Sequence, residues 1–193
     1  MAGILQPPFY EQQMDDAVKF GAIGVVIGHE LTHGFDDQGR QYDAEGNLRD
    51  WWAPEDEKGF KERTECEVQE YGDFTVSGGE HINGSLTLGE NTADNGGLRI
   101  AYAALMKALA KETPDAQKPM DGFTPAQRFF LGFGQIWCTN ATPQALRLQV
   151  QTNPHSPGEF RVNGSVSNFE EFGKASGCKP GQPMVRANAC RVW

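Results

Sequence analysis

The chain has 193 residues, enough for one domain with a sizeable hydrophobic core. Its formal net charge of −9 disfavours a nucleic-acid partner, because binding to phosphates needs a basic surface. No secretory leader pattern follows Met1, and no apolar stretch approaches the roughly 20 residues that a membrane helix needs, so neither segment is expected in this chain.

The first third of the chain is predicted to contain a buried helix followed by a polar one. After an extended, proline-containing segment, apolar residues recur at helical spacing over residues 15–35. They occur on almost all sides of this helix, so we expect it to be buried. Residues 41–52 should form a loop or a short hairpin, and a polar helix is predicted from Pro54 to about Tyr71.

The rest of the chain is predicted to be mostly helical. Alternation around a Ser-Gly-Gly turn predicts a hairpin over residues 74–85. Further helices are predicted over residues 88–111, 125–138, 143–151 and 167–176. Ser167 or Asn168 would cap the last of them. The predicted fold is therefore mainly α with a small β component.

His29, Glu30 and His33 form the pattern H-E-x-x-H on the first long helix. Residues four apart lie on one helix face, so both imidazoles can reach one zinc ion, which prefers nitrogen ligands. Glu30 is then placed to act as general base toward water at the metal. The alternative is a chance pair of histidines on a core helix. A buried helix with two His and one Glu, however, needs a partner that compensates their desolvation, and a metal ion supplies it.

Two protein ligands leave a catalytic zinc site incomplete, since such sites usually have three. Glu90 is preferred over His81, which lies in the predicted hairpin turn and should be exposed. Asp94 follows Glu90 by four residues on the same helix face. One carboxylate can bind the metal while the other accepts a proton from a ligand imidazole. The pair could equally be solvated and favoured by the helix dipole, and spacing alone leaves this open.

The four cysteines, Cys66, Cys138, Cys178 and Cys190, allow three pairings. None lies in a C-x-x-C arrangement, so a zinc site built from cysteines is not expected. Buried free thiols and structural disulfides are both compatible with the sequence.

The two helical motifs resemble the zinc motifs of the neprilysin family, which includes neprilysin and endothelin-converting enzyme. The matching segments are residues 4–10, 29–37, 90–98, 153–157, 160–164 and 190–193, so the resemblance covers essentially the whole chain. It implies a gluzincin-type, thermolysin-like zinc endopeptidase domain with one zinc ion per chain. Members of this family cleave peptides on the amino side of hydrophobic residues.

The resemblance also implies roles for individual residues. Glu90 would be the third zinc ligand, Asp94 a second catalytic carboxylate, and Asp36 a partner that orients a zinc-binding imidazole. His155 would hydrogen-bond the tetrahedral intermediate, and Arg161 would hold a backbone carbonyl of the substrate. The pocket for the residue after the cleaved bond would be lined by Phe9, Val26, Ile136 and Trp137. Without the resemblance, His155 is an exposed loop histidine, Arg161 is a surface charge, and the four apolar residues are core.

The family's large N-terminal lobe and its substrate-binding Asn-Ala strand are expected to lie outside this sequence. Cys66 and Cys190 match a family disulfide, which implies an extracytoplasmic parent protein that is secreted, periplasmic or at the cell surface. Cys138 and Cys178 match cysteines whose partners lie in the absent lobe, so they should be free or paired with each other. The chain is therefore interpreted as a single C-terminal catalytic domain, residues 1–193.

The expected partners are a peptide substrate and, over an exposed apolar face, the absent lobe or a second copy of the chain. The alternative to an active peptidase is a zinc-stabilised domain that has little or no activity without that lobe.

Overall fold

The computed structural model describes residues 2–193, and the secondary structure of these residues is almost entirely helical. The α-helices are α1 (Asp16–Lys19), α2 (Val25–Thr32), α3 (Pro54–Asp73), α4 (Leu88–Leu109), α5 (Pro125–Ile136), α6 (Pro143–Thr152), α7 (Gly158–Ser167) and α8 (Glu170–Ser176). Extended structure is limited to the antiparallel bridges Tyr42–Leu48, Thr75–His81 and Met120–Phe123. The prediction of a mainly α fold with a small β component is confirmed.

The helix predicted over residues 15–35 forms, but it is not uniform. Asp15 begins it by accepting a hydrogen bond from the backbone N–H of Val18 at 3.2 Å. α1 then passes through a π-helical turn, Phe20–Gly24, into α2, and a 3₁₀ turn, His33–Phe35, ends the run. His29 and Glu30 therefore lie on the regular α-helical part of this segment, and His33 begins the 3₁₀ turn.

The prediction that this helix is buried on all sides is wrong for its outer face. Ile27 is 57% exposed and Leu31 is 62% exposed. Helices α4 and α5 pack against the other side of α2 and of the π-helical turn before it, and no described residue covers these two side chains. Apolar periodicity indicates which helix residues are suited to burial, but it does not indicate whether another segment covers them.

The closest contact between α2 and α4 is made by two glycines. A β-carbon on Gly28 would lie 2.9 Å from the Cα atom of Gly97, and one on Gly97 would lie 2.5 Å from the backbone nitrogen of His29. Any larger side chain would therefore force the two helix backbones apart. This contact sets the distance between the helix faces that carry the two metal-binding motifs.

The main hydrophobic core lies between the α1–α2 segment, α4 and α5. Its largest fully buried side chains are Leu98, Leu105, Phe129 and Phe133. Each such side chain contributes about 1.5–3 kcal/mol to folding when it leaves water. A smaller cluster around Tyr71 joins α3 to α6 and to the hairpin over residues 74–85. The core thus holds α2 and α4 as a rigid support for the side chains between them.

Helix α7 was not predicted. Its sequence contains Gly158, Val162, Gly164 and Val166, all of which are poor helix formers. Tertiary contacts stabilise it instead, above all the buried bonds of Arg161 to α4. Local propensity could not reveal this helix, because its stabilising partners lie on distant segments.

The predicted start of the last helix was also wrong. Helix α8 begins at Glu170, and its first flanking residue, Phe169, makes no side-chain capping bond. Asn168 instead donates through Nδ2 to Oε2 of Glu70 at 2.6 Å and accepts from the backbone N–H of Cys190 at 2.7 Å. This asparagine therefore joins α3 to the C-terminal segment rather than capping α8.

A disulfide bond joins Cys66 on α3 to Cys190, across a sequence separation of 124 residues. This is the pair that the family resemblance implied. Cys138 and Cys178 are both free within residues 2–193, so they are not paired with each other. None of the described helices is long and apolar enough to cross a membrane.

Candidate metal centre

Three candidate ligands converge where α2 crosses the first turns of α4. His29, His33 and Glu90 each offer one ligand atom, and these atoms lie within 4.8 Å of one another. Nε2 of His29 is 3.3 Å from Oε2 of Glu90, and Nε2 of His33 is 3.6 Å from Oε1. Tetrahedral zinc with ligands at about 2.0–2.1 Å would separate neighbouring ligand atoms by about 3.4 Å. The donor set therefore fits a zinc ion without rearrangement of the helices.

Both imidazoles are oriented by carboxylates. Nδ1 of His29 lies 2.8 Å from Oδ1 of Asp94, and Nδ1 of His33 lies 2.6 Å from Oδ2 of Asp36. Asp36 is itself fixed by two backbone N–H groups in the following turn. With each Nδ1–H directed to a carboxylate, each Nε2 faces the common point and offers its lone pair there once it carries no proton of its own. This is the tautomer that metal binding requires.

The electrostatics of the site are dominated by its carboxylates. Burial alone would lower the pKa of His29, but hydrogen bonds with Asp94 and Glu90 raise it to about 9. Burial alone would raise the pKa of Asp94, but Arg161 and His29 hold it below its ordinary value. Without a metal ion, the His29 imidazole therefore carries a second ring proton, and with it a positive charge, at neutral pH. A bound divalent cation would displace that proton and provide the positive charge instead.

Arg161 lies inside the site, so its alternative interpretation as a surface charge is wrong. It is 5% exposed, and its Nε and Nη2 atoms donate to the two carboxylate oxygens of Asp94 at 2.6 and 2.7 Å. Nη2 also reaches Oε2 of Glu90 at 3.3 Å, and the guanidinium lies 4.0 Å from the ring centroid of Trp137. Among residues 2–193 no acceptor binds Nη1, which leaves that group for a ligand in the adjacent cavity.

Glu30 and His155 lie at the open side of the centre. Glu30 is exposed and lines the same cavity as His29. The side chain of His155 is 47% exposed, and its Nε2 is 3.3 Å from Oε1 of Glu90. Oδ1 of Asn153 accepts from the backbone N–H of His155 at 2.9 Å and lies 2.8 Å from Nδ1 of its ring. The ring is thereby held with Nε2 directed toward the metal centre.

A cavity of about 200 Å³ adjoins the metal centre. Its polar wall is formed by His29, Glu30, Asp94, His155 and Arg161. Its apolar wall is formed by Ile4, Phe9, Val25, Val26, Ile136 and Trp137. Phe9, Val26, Ile136 and Trp137, which the family resemblance assigned to a substrate pocket, are four of these six residues, whereas Ile4 and Val25 were not predicted. No chemical signal distinguishes an apolar pocket residue from an apolar core residue, so the fold was needed to identify Ile4 and Val25 as wall residues.

The structure places His81 away from this centre. His81 is exposed in the hairpin after α3, where its Nδ1 lies 2.9 Å from the backbone oxygen of Gly72. Glu90, and not His81, is therefore grouped with His29 and His33.

Relatives with known names match over the full length of the chain. It is 52% identical over 192 residues to endothelin-converting enzyme 1 of Mus musculus and 46% identical over 193 residues to neprilysin-2 of Drosophila melanogaster. Both alignments cover 100% of this chain but only 25% of the relative. The chain therefore spans about a quarter of the length of these relatives.

Solved structures with the same fold also match over nearly the whole chain. The inhibitor complex of the zinc metalloprotease Zmp1 of Mycobacterium tuberculosis matches with a TM-score of 0.92 at 40% identity, over 100% of this chain and 30% of that one. PepO of Lactobacillus rhamnosis matches with a TM-score of 0.82 at 34% identity, over 96% of this chain and 27% of that one. The sequence model of Peptidase family M13 matches residues 1–192. With this match over nearly its whole length, the chain belongs to Peptidase family M13.

Proposed function

We propose that residues 1–193 form the catalytic domain of a zinc metalloendopeptidase, with His29, His33 and Glu90 as the metal ligands. The observation that carries the proposal is the convergence of these three side chains within 4.8 Å beside an apolar cavity. Bound zinc would polarise the scissile carbonyl and make water easier to deprotonate. Every other step belongs to side chains of this chain.

Glu30 acts as the general base. Its carboxylate takes a proton from the attacking water and then passes this proton to the leaving amine. Because its Nδ1–H is directed to Oδ1 of Asn153, His155 donates through Nε2 in its doubly protonated form, to the oxygen that becomes negative in the transition state. By analogy with other donors of this kind, that bond lowers the activation free energy by about 2.7–4 kcal/mol. Arg161 donates through Nη1 to a backbone carbonyl of the substrate, while its other bonds to Asp94 hold it in place.

The cavity gives the proposed specificity. Its volume of about 200 Å³ and its six apolar wall residues suit one large hydrophobic side chain. The peptide bond held at the metal centre is then the bond on the amino side of that residue. The proposed substrates are peptides that contain such a residue.

The direct test is a fluorogenic peptide assay on the zinc-loaded chain, with zinc content measured in the same samples. Glu30→Gln should abolish hydrolysis and leave the zinc content unchanged, because Glu30 is not a ligand. Glu112→Gln, at an exposed position after α4, is the matched control and should behave like the unaltered chain. Loss of zinc together with activity in Glu30→Gln contradicts the role assigned to Glu30.

A second candidate function is a zinc-stabilised domain that does no chemistry until the rest of a longer polypeptide covers it. The observation that favours it is an exposed apolar face on α2 and α4. This outer face is formed by Ile27, Leu31, Phe35, Ile100 and Trp193, which are between 40% and 62% exposed. The relatives' additional length offers a covering segment, since the chain spans only 25% of them.

The two candidates give different results in one preparation. An active monomer with one zinc ion per chain supports the peptidase. A zinc-loaded chain that is inactive, and that self-associates in sedimentation experiments through its outer face, supports the incomplete domain. Replacement of Ile27 and Leu31 by Gln should then restore the monomer without changing the zinc content.

The Cys66–Cys190 bond supports an extracytoplasmic location for the parent protein, because structural disulfides persist in oxidising compartments.

A further inference from the structure

A buried pair of side chains joins the two halves of the site. Ser156 directly follows His155, and Asn91 directly follows Glu90. The Ser156 hydroxyl donates to Oδ1 of Asn91 at 2.8 Å. Ser156 is 1% exposed and Asn91 is 0% exposed, so water does not compete for this bond.

The bond is part of a longer chain of hydrogen bonds that fixes its direction. Nδ2 of Asn91 donates to Oγ1 of Thr87 at 2.9 Å, and the Thr87 hydroxyl donates to the backbone oxygen of Asn83 at 3.2 Å. Thr87 has one hydroxyl hydrogen, and that hydrogen is already used. Asn91 must therefore direct its amide NH₂ to Thr87 and its oxygen to Ser156.

This hydrogen-bond chain is a buried connection between the loop of His155 and α4, which the half-exposed contact of His155 with Glu90 also joins. Asn91 belongs to the first turn of α4, which carries Glu90. Ser156 belongs to the loop that carries His155 and leads into α7, the helix of Arg161. Apart from these two contacts with α4, the loop around His155 is held by bonds to Asn153 and Gln149, which come from the loop itself and from the adjacent α6.

We infer that Ser156 and Asn91 are positioning residues, which fix the His155 ring relative to the Glu90 carboxylate. Neither side chain touches substrate or metal, because both are enclosed behind the site. They act by holding the separation between Nε2 of His155 and Oε1 of Glu90, which is 3.3 Å. The inference rests on the proposed function for its catalytic meaning, since His155 matters only if a reacting oxygen lies at the metal centre.

Ser156→Ala removes one oxygen atom and leaves the acceptor of Asn91 unpaired. In the zinc-loaded chain, two probes should respond differently. A phosphoramidate dipeptide presents tetrahedral oxygens that His155 can bind, so its dissociation constant should rise about tenfold. This is less than the roughly hundredfold loss of rate that follows when a reacting group is displaced by about 1 Å. A mercaptoacyl dipeptide would coordinate zinc through sulfur and presents no tetrahedral oxygen to His155, so its dissociation constant and the affinity for zinc should change less than about twofold.

Two further variants separate positioning from general stability. Ser167→Ala removes a buried hydroxyl whose acceptors are Gly164 within α7 and Glu70 on α3, and it should leave both probes unaffected. Ser156→Thr keeps the hydroxyl and should restore phosphoramidate binding. Equal weakening of both probes by Ser156→Ala, or no rescue by Ser156→Thr, overturns the inference.

A metal-free measurement keeps the inference distinct from the proposed function. In the chain without zinc, Ser156→Ala should shift the imidazole NMR resonances of His155 and leave those of His81 in place. An unchanged His155 ring overturns the positioning role. By contrast, an unaltered zinc-loaded chain that binds neither probe contradicts the proposed function while the NMR result still decides this inference.

Discussion

Two fully buried carboxylates lie near α4 and have opposite electrostatic surroundings. Asp94 is 1% exposed and contacts the guanidinium of Arg161 and the imidazole of His29. Glu67 on α3 is 0% exposed, and its closest partner is the hydroxyl of Thr92, which donates to Oε2 at 2.6 Å. Oε1 of Glu67 has no hydrogen-bond partner among residues 2–193.

The difference shows that partners, rather than burial, decide whether a buried carboxylate is charged. Burial raises the pKa of Glu67 to about 8, so this side chain is protonated at neutral pH. Arg161 and His29 keep the pKa of Asp94 below its ordinary value, so Asp94 stays ionised. The negative charge is thus kept on the side of α4 that faces the metal centre, and it is suppressed on the side that faces α3.

Asp94→Asn should have the largest effect on this comparison. It leaves Arg161 buried without its full counter-charge, which costs about 3–5 kcal/mol of unfolding free energy. It also removes the charged partner of His29, so zinc affinity should fall by about 10–100-fold. Urea unfolding of the metal-free chain and competition with a chelator measure the two effects.

The matched control for this change is Asp50→Asn at an exposed position, which should alter the unfolding free energy by less than about 0.5 kcal/mol. If Asp94→Asn were as mild as Asp50→Asn, the buried pair with Arg161 would not hold the site together.

Glu67→Gln should have the next largest effect, and it should depend on pH. The folded pKa of Glu67 is about 8, above its ordinary value of 4.5, so the folded state binds this proton more tightly than the unfolded state. The stabilising contribution is complete below pH 4.5 and is lost as the pH rises toward 8. The unaltered chain should therefore lose a few kcal/mol more than Glu67→Gln between pH 5 and pH 8.

The contribution of Asp94 to the unfolding free energy depends on pH in the opposite direction. Its folded pKa lies below its ordinary value of 3.8, so its contribution is present above that pH and is lost as the pH falls through the folded pKa. Unfolding free energies of the unaltered chain and Glu67→Gln, measured at pH 5 and pH 8, check the prediction for Glu67. Parallel pH profiles of the two proteins would show that Glu67 is ionised in the folded chain.

Gly97→Ala should have the smallest of the three effects on stability. The added methyl group would meet the backbone of α2, which should cost about 1–3 kcal/mol of unfolding free energy. Because the helices separate where the ligands lie, zinc affinity should fall as well. The methyl group that Gly59→Ala adds on α3 meets no atom within 4 Å, so this variant should stabilise the chain by about 0.5–1 kcal/mol.

The two glycine variants are compared by thermal unfolding and by chelator competition. Unchanged zinc affinity in a folded Gly97→Ala chain would show that the helix separation does not control the ligand geometry.

Much of the candidate metal site on one side of α4 could be predicted from the sequence, because its candidate ligands and their partners occur at a regular sequence spacing. His29 and His33 are four residues apart, and so are Glu90 and Asp94, and each pair falls on one helix face. The family resemblance added Arg161 and His155. What it could not give is the bidentate bond between Arg161 and Asp94, which joins residues 67 positions apart.

The other side of α4 could not be predicted. Glu67 and Glu70 lie in a segment that was correctly predicted to be a polar helix, and polar residues on a helix are normally solvated. Their partners are 25 residues away at Thr92 and 98 residues away at Asn168. No local pattern indicates such pairs. The same limit explains why helix α7 and the exposed face of α2 were missed, since both depend on what packs against them.

If His29, His33 and Glu90 bind a single zinc ion, X-ray absorption at the zinc edge should show it in the chain loaded with one equivalent of zinc. We expect nitrogen and oxygen neighbours at about 2.0–2.1 Å with the outer-shell scattering of two imidazole rings. A spectrum without imidazole scattering, or with sulfur neighbours at about 2.3 Å, contradicts it.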